Sequence, residues 1–428
     1  MVGALLLSMV VIDSLLKRLP ISAAMIYLVL GYVLGPDVTG ILELDPLAHA
    51  ASIAQVAEIA VLISLFAAGL NLGVPLTSRK WLLPVRLALP SMVLTIAMVA
   101  AASMYLMDLS LGEAILLGAL LAPTDPVLAA GIAPDGGRSP ELTRFGLSGE
   151  GALNDGTAFP FVLLGLGFLG MHALGSAGLH WWTVDLLWSM LGGLLIGFAS
   201  GVATRTLTLA VQHRLHQAPD LDQFVAVGLV AIAYGAATIC HASGFLAVFA
   251  AGCALRRGKG VPVEEILAQP AASARIASET TTVAPDGRSG TARPDQAVQN
   301  FNGQIEKLAE LTMVVLIGAM LPYAQFMSQL VWFLPLLFFV IRPAAIWVGT
   351  VGASLSVAQR AMMGWFGIRG IGSVFYLAFA LHRGVDGELA QTLISLTLWT
   401  VAVSIVLHGI TVLPFMKRRA PHARARVS

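Results

Sequence analysis

The chain has 428 residues, of which 57% are hydrophobic and only 11% are charged, and its net charge is +1. No water-soluble domain of this size needs so apolar a composition, so we predict an all-α polytopic membrane protein in the lipid bilayer. A net charge this small gives no reason to expect a nucleic-acid partner. The two cysteines, Cys240 and Cys253, lack the spacing of a disulfide framework or a metal site.

Apolar runs of about 15 to 25 residues match the thickness of a bilayer at about 1.5 Å per helical residue, and they predict about thirteen transmembrane helices. The first run is treated as a span rather than a signal peptide, because it lacks a basic leading region. The predicted spans are 2–16, 20–35, 51–73, 82–107, 111–132, 143–170, 181–211, 222–239, 241–255, 305–321, 328–353, 361–381 and 390–416.

These spans divide the chain into four parts. Residues 1–255 form an N-terminal transmembrane part, and residues 305–416 form a C-terminal one. Between them, residues 256–304 are rich in Ala, Thr, Ser, Pro and Gly without an apolar period, which predicts a flexible cytoplasmic loop. Residues 417–428 are a basic cytoplasmic tail.

Basic residues at the ends of the spans collect on one side of the membrane, and short cytoplasmic loops are where Lys and Arg accumulate. This predicts a cytoplasmic C-terminus and an external N-terminus for a protein of the plasma (inner) membrane. The basic residues of that side are Lys17, Arg18, Arg79, Lys80, Arg138, Arg144, Arg205, Arg214, Arg256, Arg257, Lys259, Arg360, Lys417, Arg418, Arg419, Arg424 and Arg426.

The most unusual stretch is 149–156, where Glu150, Asn154 and Asp155 interrupt an apolar helix. A charge at membrane depth costs ~3 kcal/mol or more, so such residues are normally retained for function. The alternative is that both carboxylates only brace the fold by pairing with basic residues. At ~100° per residue, Glu150 and Asn154 share a face, whereas Asp155 diverges from Glu150 by ~140°. We therefore expect different partners for the two carboxylates.

A second polar break, Pro123-Thr124-Asp125-Pro126, lies in the preceding apolar run. The prolines disfavour helix here, so the backbone should open around Thr124 and Asp125, with Asp125 capping the half-helix that follows. An ordinary proline kink is the alternative. Two acidic sites in neighbouring spans favour an ion pathway.

Two arginines, Arg342 and Arg369, also lie within apolar spans, and each needs a buried counter-charge or a set of carbonyl groups. We pair Arg342 with Glu150. Arg369 is expected near the carbonyl groups that the helix break frees, as charge compensation. Asp155 and Asp125 then remain to bind a proton or a small cation. The intramembrane histidine, His408, is interpreted as a packing residue.

The glycines around Arg369 make the twelfth span the second candidate for a broken helix. It lies seven spans after the break at Asp125, so the two spans cross the membrane in opposite directions, as an inverted repeat requires. The pattern alone carries this prediction, since no residue-level repeat is visible. The glycines are Gly364, Gly367, Gly370 and Gly372.

At these residues the chain resembles the monovalent cation/proton antiporters of the sodium/proton exchanger family, specifically the NhaP-like bacterial branch. The resemblance covers nearly the whole chain and implies about thirteen helices, inverted repeats with two crossed unwound helices, and a homodimer. The matching segments are 31–36, Pro123-Thr124-Asp125-Pro126, the block from Glu150 to Asp155, Arg342, Gly367-Ile368-Arg369-Gly370 and Leu407-His408-Gly409-Ile410-Thr411.

The resemblance also implies roles. Asp155 becomes the principal carboxylate for the cation and the proton, with Asn154 as its partner. Asp125 and Thr124 contribute from the unwound helix. The Asn-Asp pair is the hallmark of the electroneutral branch, so the implied function is electroneutral exchange of Na⁺, K⁺ or Li⁺ for protons by alternating access, with no cofactor and no enzymatic reaction.

Glu150 and Arg342 match the structural ion pair of the family. Two positions depart from its pattern, because Gly151 and Ala67 stand where relatives commonly have oxygen-bearing side chains. Cation identity is therefore open, and a K⁺/H⁺ antiporter is an alternative. A gated cation channel is another, although channels use rings of like residues rather than one asymmetric cluster. An intramembrane protease would need a Ser-His pair or an HExxH motif, and from the sequence we expect neither at membrane depth.

Overall fold

The computed structural model describes residues 22–72, 74, 78–125, 140–215, 222–256 and 294–417, and within these ranges it contains helices and turns but no strand. The all-α prediction is confirmed for these residues. The first predicted span, the loop residues 257–293 and the tail from 418 lie outside them. The helices are α1 (Ala23–Leu34), α2 (Ala50–Asn71), α3 (Arg79–Met107), α4 (Leu111–Leu121), α5 (Pro140–Phe168), α6 (Ser189–Leu215), α7 (Asp222–Ile239), α8 (Gly244–Arg256), α9 (Pro294–Met320), α10 (Leu330–Gly349), α11 (Val357–Trp365), α12 (Ile371–His382) and α13 (Gly387–Lys417).

The helices carry apolar residues on their outer as well as their inner faces. Five helical stretches of the described chain are long and apolar enough to cross a membrane, and five more apolar helices are shorter. Leu195 on α6 is 65% exposed and Ile232 on α7 is 61% exposed. A helix that is apolar all round is stable only inside a larger core or in lipid. The chain is therefore a multi-pass membrane protein.

Small residues let neighbouring helices approach closely. A Cβ atom on Gly31 of α1 would overlap the carbonyl oxygen of Val315 on α9, and one on Gly318 would overlap that of Leu28. In the same way, a Cβ on Gly197 of α6 would overlap the backbone of Ala247 on α8. Lipid supplies little hydrophobic driving force between helices, so van der Waals contact of this kind holds such pairs together.

Two interruptions of helix face each other in the interior. α4 ends at Leu121, and Pro123–Asp125 are not helical, while the continuation over 126–139 lies outside the described residues. The predicted span 361–381 consists of two helices, α11 and α12, separated by residues 366–370. The amide of Asp125 donates a hydrogen bond to the carbonyl of Ile368 at 2.8 Å, which joins the two interruptions.

The start of α9 differs from the sequence-based boundary. The loop was predicted to extend to residue 304, whereas α9 begins at Pro294. Proline is well tolerated in the first turn of a helix because its missing N–H has no helical partner there. The residues that follow contain no breaker before Gly303, so a segment that looks polar and aperiodic extends the helix instead.

The sequence analysis did not anticipate three π-helical segments, which are Leu87–Ser91 within α3, Trp181–Trp188 directly before α6, and Leu336–Ile341 within α10. Pro90 lies within the first turn and Pro335 directly before the third, where a proline removes a hydrogen bond from the helix. Such turns are frequent at functional sites. The third one ends immediately before Arg342.

Candidate ion-binding site

Glu150 of α5 and Arg342 of α10 form a bidentate ion pair in the interior. Arg342 Nη1 donates to Glu150 Oε1, and Nη2 donates to Oε2 at 2.9 Å. Nη2 also lies 3.3 Å from the carbonyl oxygen of Met363 at the end of α11. Glu150 is 1% exposed and Arg342 is 4% exposed. Two parallel hydrogen bonds between opposite charges hold three helices in one arrangement.

Gly367 leaves the room that this arginine needs. A Cβ atom at position 367 would overlap the guanidinium group of Arg342. The glycine in the interruption between α11 and α12 is therefore a packing requirement of the ion pair.

Asp125 is held at the start of α12. It is 5% exposed, and its Oδ2 accepts a hydrogen bond from the amide of Ile371 at 3.3 Å. Ile371 is the first residue of α12, where free backbone amides and the helix dipole favour a negative charge. The sequence analysis expected Asp125 to cap the half-helix that follows it in its own span, a segment outside the described residues. In the structure its carboxylate contacts the half-helix of the other interruption.

Asp155 of α5 lies against the same turn of α12. A Cβ atom on Gly372 would lie 3.1 Å from Cγ of Asp155, and one on Gly370 would lie 2.8 Å from Cγ of Asp125. Glycines at 370 and 372 thus allow both carboxylates to approach the first turn of α12. Among the described residues, no cation lies within ion-pair distance of the Asp155 carboxylate.

Asn154 and Thr124 connect α5 to the first interruption. Asn154 Nδ2 donates to Thr124 Oγ1 at 3.3 Å, and both side chains are buried. The amide oxygen of Asn154 has no hydrogen-bond partner within the described part of the chain. A buried polar atom that lacks a partner is unusual in a folded protein and asks for a functional explanation.

Arg369 compensates the carbonyl end of α4. Its Nη1 donates to the carbonyl of Ala122 and to that of Pro123 at 3.0 Å, and the side chain is 1% exposed. The last carbonyls of a helix carry partial negative charge, so a guanidinium group there is favourable. Arg369 therefore ties the second interruption to the backbone just before Thr124 and Asp125.

A model of the family described as sodium/hydrogen exchanger, transmembrane, matches residues 4–418, which is nearly the whole chain. The chain belongs to the sodium/hydrogen exchanger family. The resemblance predicted from the polar motifs is thereby confirmed.

Two antiporters are among the proteins that resemble this exchanger-family chain over most of its length. The Na⁺/H⁺ antiporter NhaH of Halobacillus aidingensis is 24% identical over 324 residues, which cover 75% of this chain and 72% of that protein. Na⁺/H⁺ antiporter 2 of Zygosaccharomyces rouxii is 25% identical over 374 residues, or 84% of this chain and 42% of that protein. These homologues are transporters and not enzymes.

The fold is shared with a solved antiporter. The structure of the sodium proton antiporter MjNhaP1 from Methanocaldococcus jannaschii at pH 8 superimposes with a TM-score of 0.66 at 18% identity. The match covers 96% of this chain and 97% of that one. The overall helical arrangement is therefore that of the exchanger fold, whatever the differences at single positions.

Tyr376 was missed by the sequence analysis. Its hydroxyl donates to the backbone carbonyl of Asp155, and its side chain is 0% exposed. A buried tyrosine one helical turn after Gly372 was the available signal, because residues four apart share a helix face. Tyr376 therefore fixes the backbone of α5 at the residue whose carboxylate lies against α12.

His408 was interpreted as a packing residue, and it is buried between the rings of Phe338 and Trp365, with polar contacts that the sequence analysis did not anticipate. Both of its ring nitrogens lie 2.7 Å from carbonyl oxygens, those of Ser404 and Trp365. Ser404 in turn accepts a hydrogen bond from the amide of Arg369 at 3.0 Å. One of these contacts, Trp365, comes from α11, which is distant in sequence, so the position of His408 in the chain did not reveal it.

Glu306 and Glu310 of α9 were noticed only as part of an amphipathic lead into the span. They are four residues apart and half-buried, and the charge of Asp125 acts on both of them. Acidic side chains within electrostatic reach of the site attract cations toward it.

Proposed function

We propose that this protein exchanges a monovalent cation for protons, with Asp155 and Asp125 as the site for which the two compete. The observation that carries this proposal is the approach of both carboxylates to the first turn of α12, in the interior of a multi-pass membrane protein. Desolvation in a membrane core favours the protonated form of a carboxyl group, whereas a bound cation favours the ionised form. Occupation by either ion then excludes the other.

The ligands proposed for the cation are all oxygen atoms. They come from the carboxylates of Asp155 and Asp125, the hydroxyl of Thr124 and the amide oxygen of Asn154, which lacks a protein partner among the described residues. Carboxylate, hydroxyl and carbonyl oxygens are hard ligands that suit Na⁺ or K⁺. Asn154 is neutral where a second aspartate would add a charge, so we propose electroneutral exchange.

Glu150, Arg342 and Arg369 are assigned structural roles. Glu150 and Arg342 neutralise each other in an ion pair, and Arg369 neutralises the carbonyl end of α4. None of the three then needs to gain or lose a charge during transport. They hold the segments that carry Asp125 and the first turn of α12.

We further propose alternating access in a thirteen-helix fold with inverted repeats and two crossed unwound helices. The hydrogen bond between Asp125 and Ile368 and the contacts of Arg369 with Ala122 and Pro123 support this arrangement. The proposal includes a homodimer in the plasma membrane with the C-terminus in the cytoplasm, where the basic residues collect.

Reconstituted protein tests the proposal directly. Liposomes with an acidic interior receive Na⁺, K⁺ or Li⁺ in turn outside while a dye reports internal pH, and Asp155→Asn is the matched control. We expect saturating, cation-dependent alkalinisation whose rate does not change with an imposed membrane potential. Flux that depends on the potential and moves no protons would instead identify a channel. Activity with K⁺ alone would identify a K⁺/H⁺ antiporter.

A further inference from the structure

Both ring nitrogens of His408 face hydrogen-bond acceptors, an arrangement that favours a proton on each nitrogen. The ring is 2% exposed and lies between Trp365 and Phe338, with centroid distances of 5.5 and 5.9 Å. Its Nδ1 is 2.7 Å from the carbonyl oxygen of Ser404, and its Nε2 is 2.7 Å from that of Trp365. A carbonyl oxygen can only accept a hydrogen bond, and a neutral imidazole has a single N–H. Both contacts are hydrogen bonds only when the ring is positively charged.

A neutral His408 ring can form a different set of hydrogen bonds. The hydroxyl of Ser404 lies 3.2 Å from Nδ1 and can donate to it, while Nε2 keeps its hydrogen bond to Trp365. The lone pair of Nδ1 would then face the carbonyl oxygen of Ser404, so the ring has to turn away from it. Gain or loss of one proton therefore changes which atoms of α13 hold the ring.

The surrounding charges oppose the proton that the carbonyl groups favour. Within the described residues, the charges that act on His408 belong to Arg369, between α11 and α12, and to Arg342 of α10. Arg342 is paired with Glu150, whereas Arg369 contacts carbonyl groups. Beside His408, at Gly409, the neighbours are Ser22 and Met25, which carry no charge. Burial away from water opposes the charged ring first and the two guanidinium groups oppose it further, whereas the two carbonyl groups favour it.

Trp365 and Ser404, the two hydrogen-bond partners of His408, both connect it to the interruption between α11 and α12 at the proposed ion site. Trp365 is the last residue of α11, and the hydroxyl of Ser404 accepts the amide of Arg369 at 3.0 Å. The segment between them includes Ile368, whose carbonyl accepts the amide of Asp125 at 2.8 Å. We propose that His408 is a positioning residue that gains and loses a proton during transport, and that its proton decides whether the Ser404 hydroxyl, which accepts the amide of Arg369, also donates to the ring.

This inference rests on the exchange proposed above, and two measurements test it separately. The first is ¹⁵N NMR of the purified full-length protein labelled at histidine, with His408→Gln to assign the signal. We expect the ring to pass from two N–H groups to one between about pH 5 and pH 9. A ring that stays neutral, or stays charged, over that range would overturn the inference even if exchange is intact.

The second measurement is the pH profile of exchange in liposomes. His408→Gln keeps one donor and cannot titrate, so we expect its profile to lose one ionisation step. Thr411→Val is the matched control, because it removes the neighbouring hydrogen bond from Trp365 Nε1 at 3.1 Å without removing a titratable group. We expect it to keep the wild-type profile. An unchanged profile for His408→Gln contradicts the inference, whereas absence of exchange in the wild type contradicts the proposed function instead.

Discussion

Glu150 and Asp155 are both buried acidic residues of α5, but the protein satisfies their carboxylates with hydrogen bonds and ion pairs to different extents. Both oxygens of Glu150 accept hydrogen bonds from Arg342, whose Nη2 also donates to the carbonyl of Met363 on a third helix. The carboxylate of Asp155, five residues further on, has no ion-pair partner among the described residues and lies against the glycine-lined turn of α12. A fully paired charge can brace helices, whereas an incompletely paired one can exchange its counter-ion. This contrast supports our proposal that Glu150 has a structural role and that Asp155 binds the transported ion.

The largest expected effect is loss of transport in Asp155→Asn. An amide cannot release a proton or supply a negative charge, so we expect no cation-dependent proton flux above that of empty liposomes. The protein should remain folded, because the contact of Tyr376 is to the backbone of residue 155 and does not depend on the side chain. Proton-coupled flux near the wild-type rate in this variant would remove Asp155 from the mechanism.

The next largest expected effect is a loss of folding stability when the ion pair between Glu150 and Arg342 is broken. Glu150→Gln and Arg342→Ala each leave a buried charge without its partner, and we expect each to lower the free energy of unfolding by ~3 to 5 kcal/mol. Thermal unfolding in detergent measures this, with Asp155→Asn as the reference. The double variant Glu150→Leu/Arg342→Leu should lose less than either single variant, because neither charge remains. If Glu150→Gln is inactive but as stable as the wild type, the proposed assignment of a structural role to Glu150 and an ion-binding role to Asp155 is wrong.

A smaller effect is expected at the first turn of α12, which both proposed ion-binding carboxylates approach. In Gly370→Ala the added methyl group would overlap the carboxylate of Asp125, so this side chain must move away from α12. We expect the half-saturation concentration for the cation to rise roughly tenfold, equivalent to ~1.4 kcal/mol. Gly235→Ala in α7 is the control, because its methyl group would meet no atom within 4 Å. Equal cation affinity in both variants would contradict the placement of Asp125 at the ion.

Sequence alone could identify the polar residues of the site and the helical character of the fold. Glu150, Asp155 and Arg342 stand out because a charge in an apolar run is costly, and that argument needs no structure. Contacts between distant segments were harder to predict. Tyr376 and His408 look like ordinary apolar-helix residues until α5 and α11 are placed beside them, since their partners are backbone carbonyls that leave no trace in the sequence.

The start of α9 and the three π-helical turns were missed for a different reason. Polar composition predicts a loop only when no helix start is present, and Pro294 supplies one. A π-helical turn depends on how the helix packs, and a proline alone does not distinguish it from a kink. Helix existence could be predicted along most of the chain, whereas local irregularities depended on tertiary packing.

The smallest expected effect concerns cation affinity, and it would refine the contrast between Glu150 and Asp155 rather than contradict it. Gly151 and Ala67 are buried and supply no side-chain oxygen, so the proposed site relies on Asp155, Asp125, Thr124 and Asn154. Cation affinity should then be modest and discrimination between Na⁺ and K⁺ poor. Position 151 lies one helical turn before Asp155 in an unbroken helix, on the same face.

Gly151→Ser would therefore place a hydroxyl beside the carboxylate of Asp155. We expect it to lower the half-saturation concentration for Na⁺ roughly threefold, equivalent to ~0.6 kcal/mol, and to increase the preference for Na⁺ over K⁺. Gly151→Ala is the matched control, because it removes the same helical glycine and adds the same Cβ without an oxygen. A gain shared by both variants would reflect helix stability. A gain confined to serine identifies residue 151 as a determinant of cation choice, and no gain in either places residue 151 away from the ion.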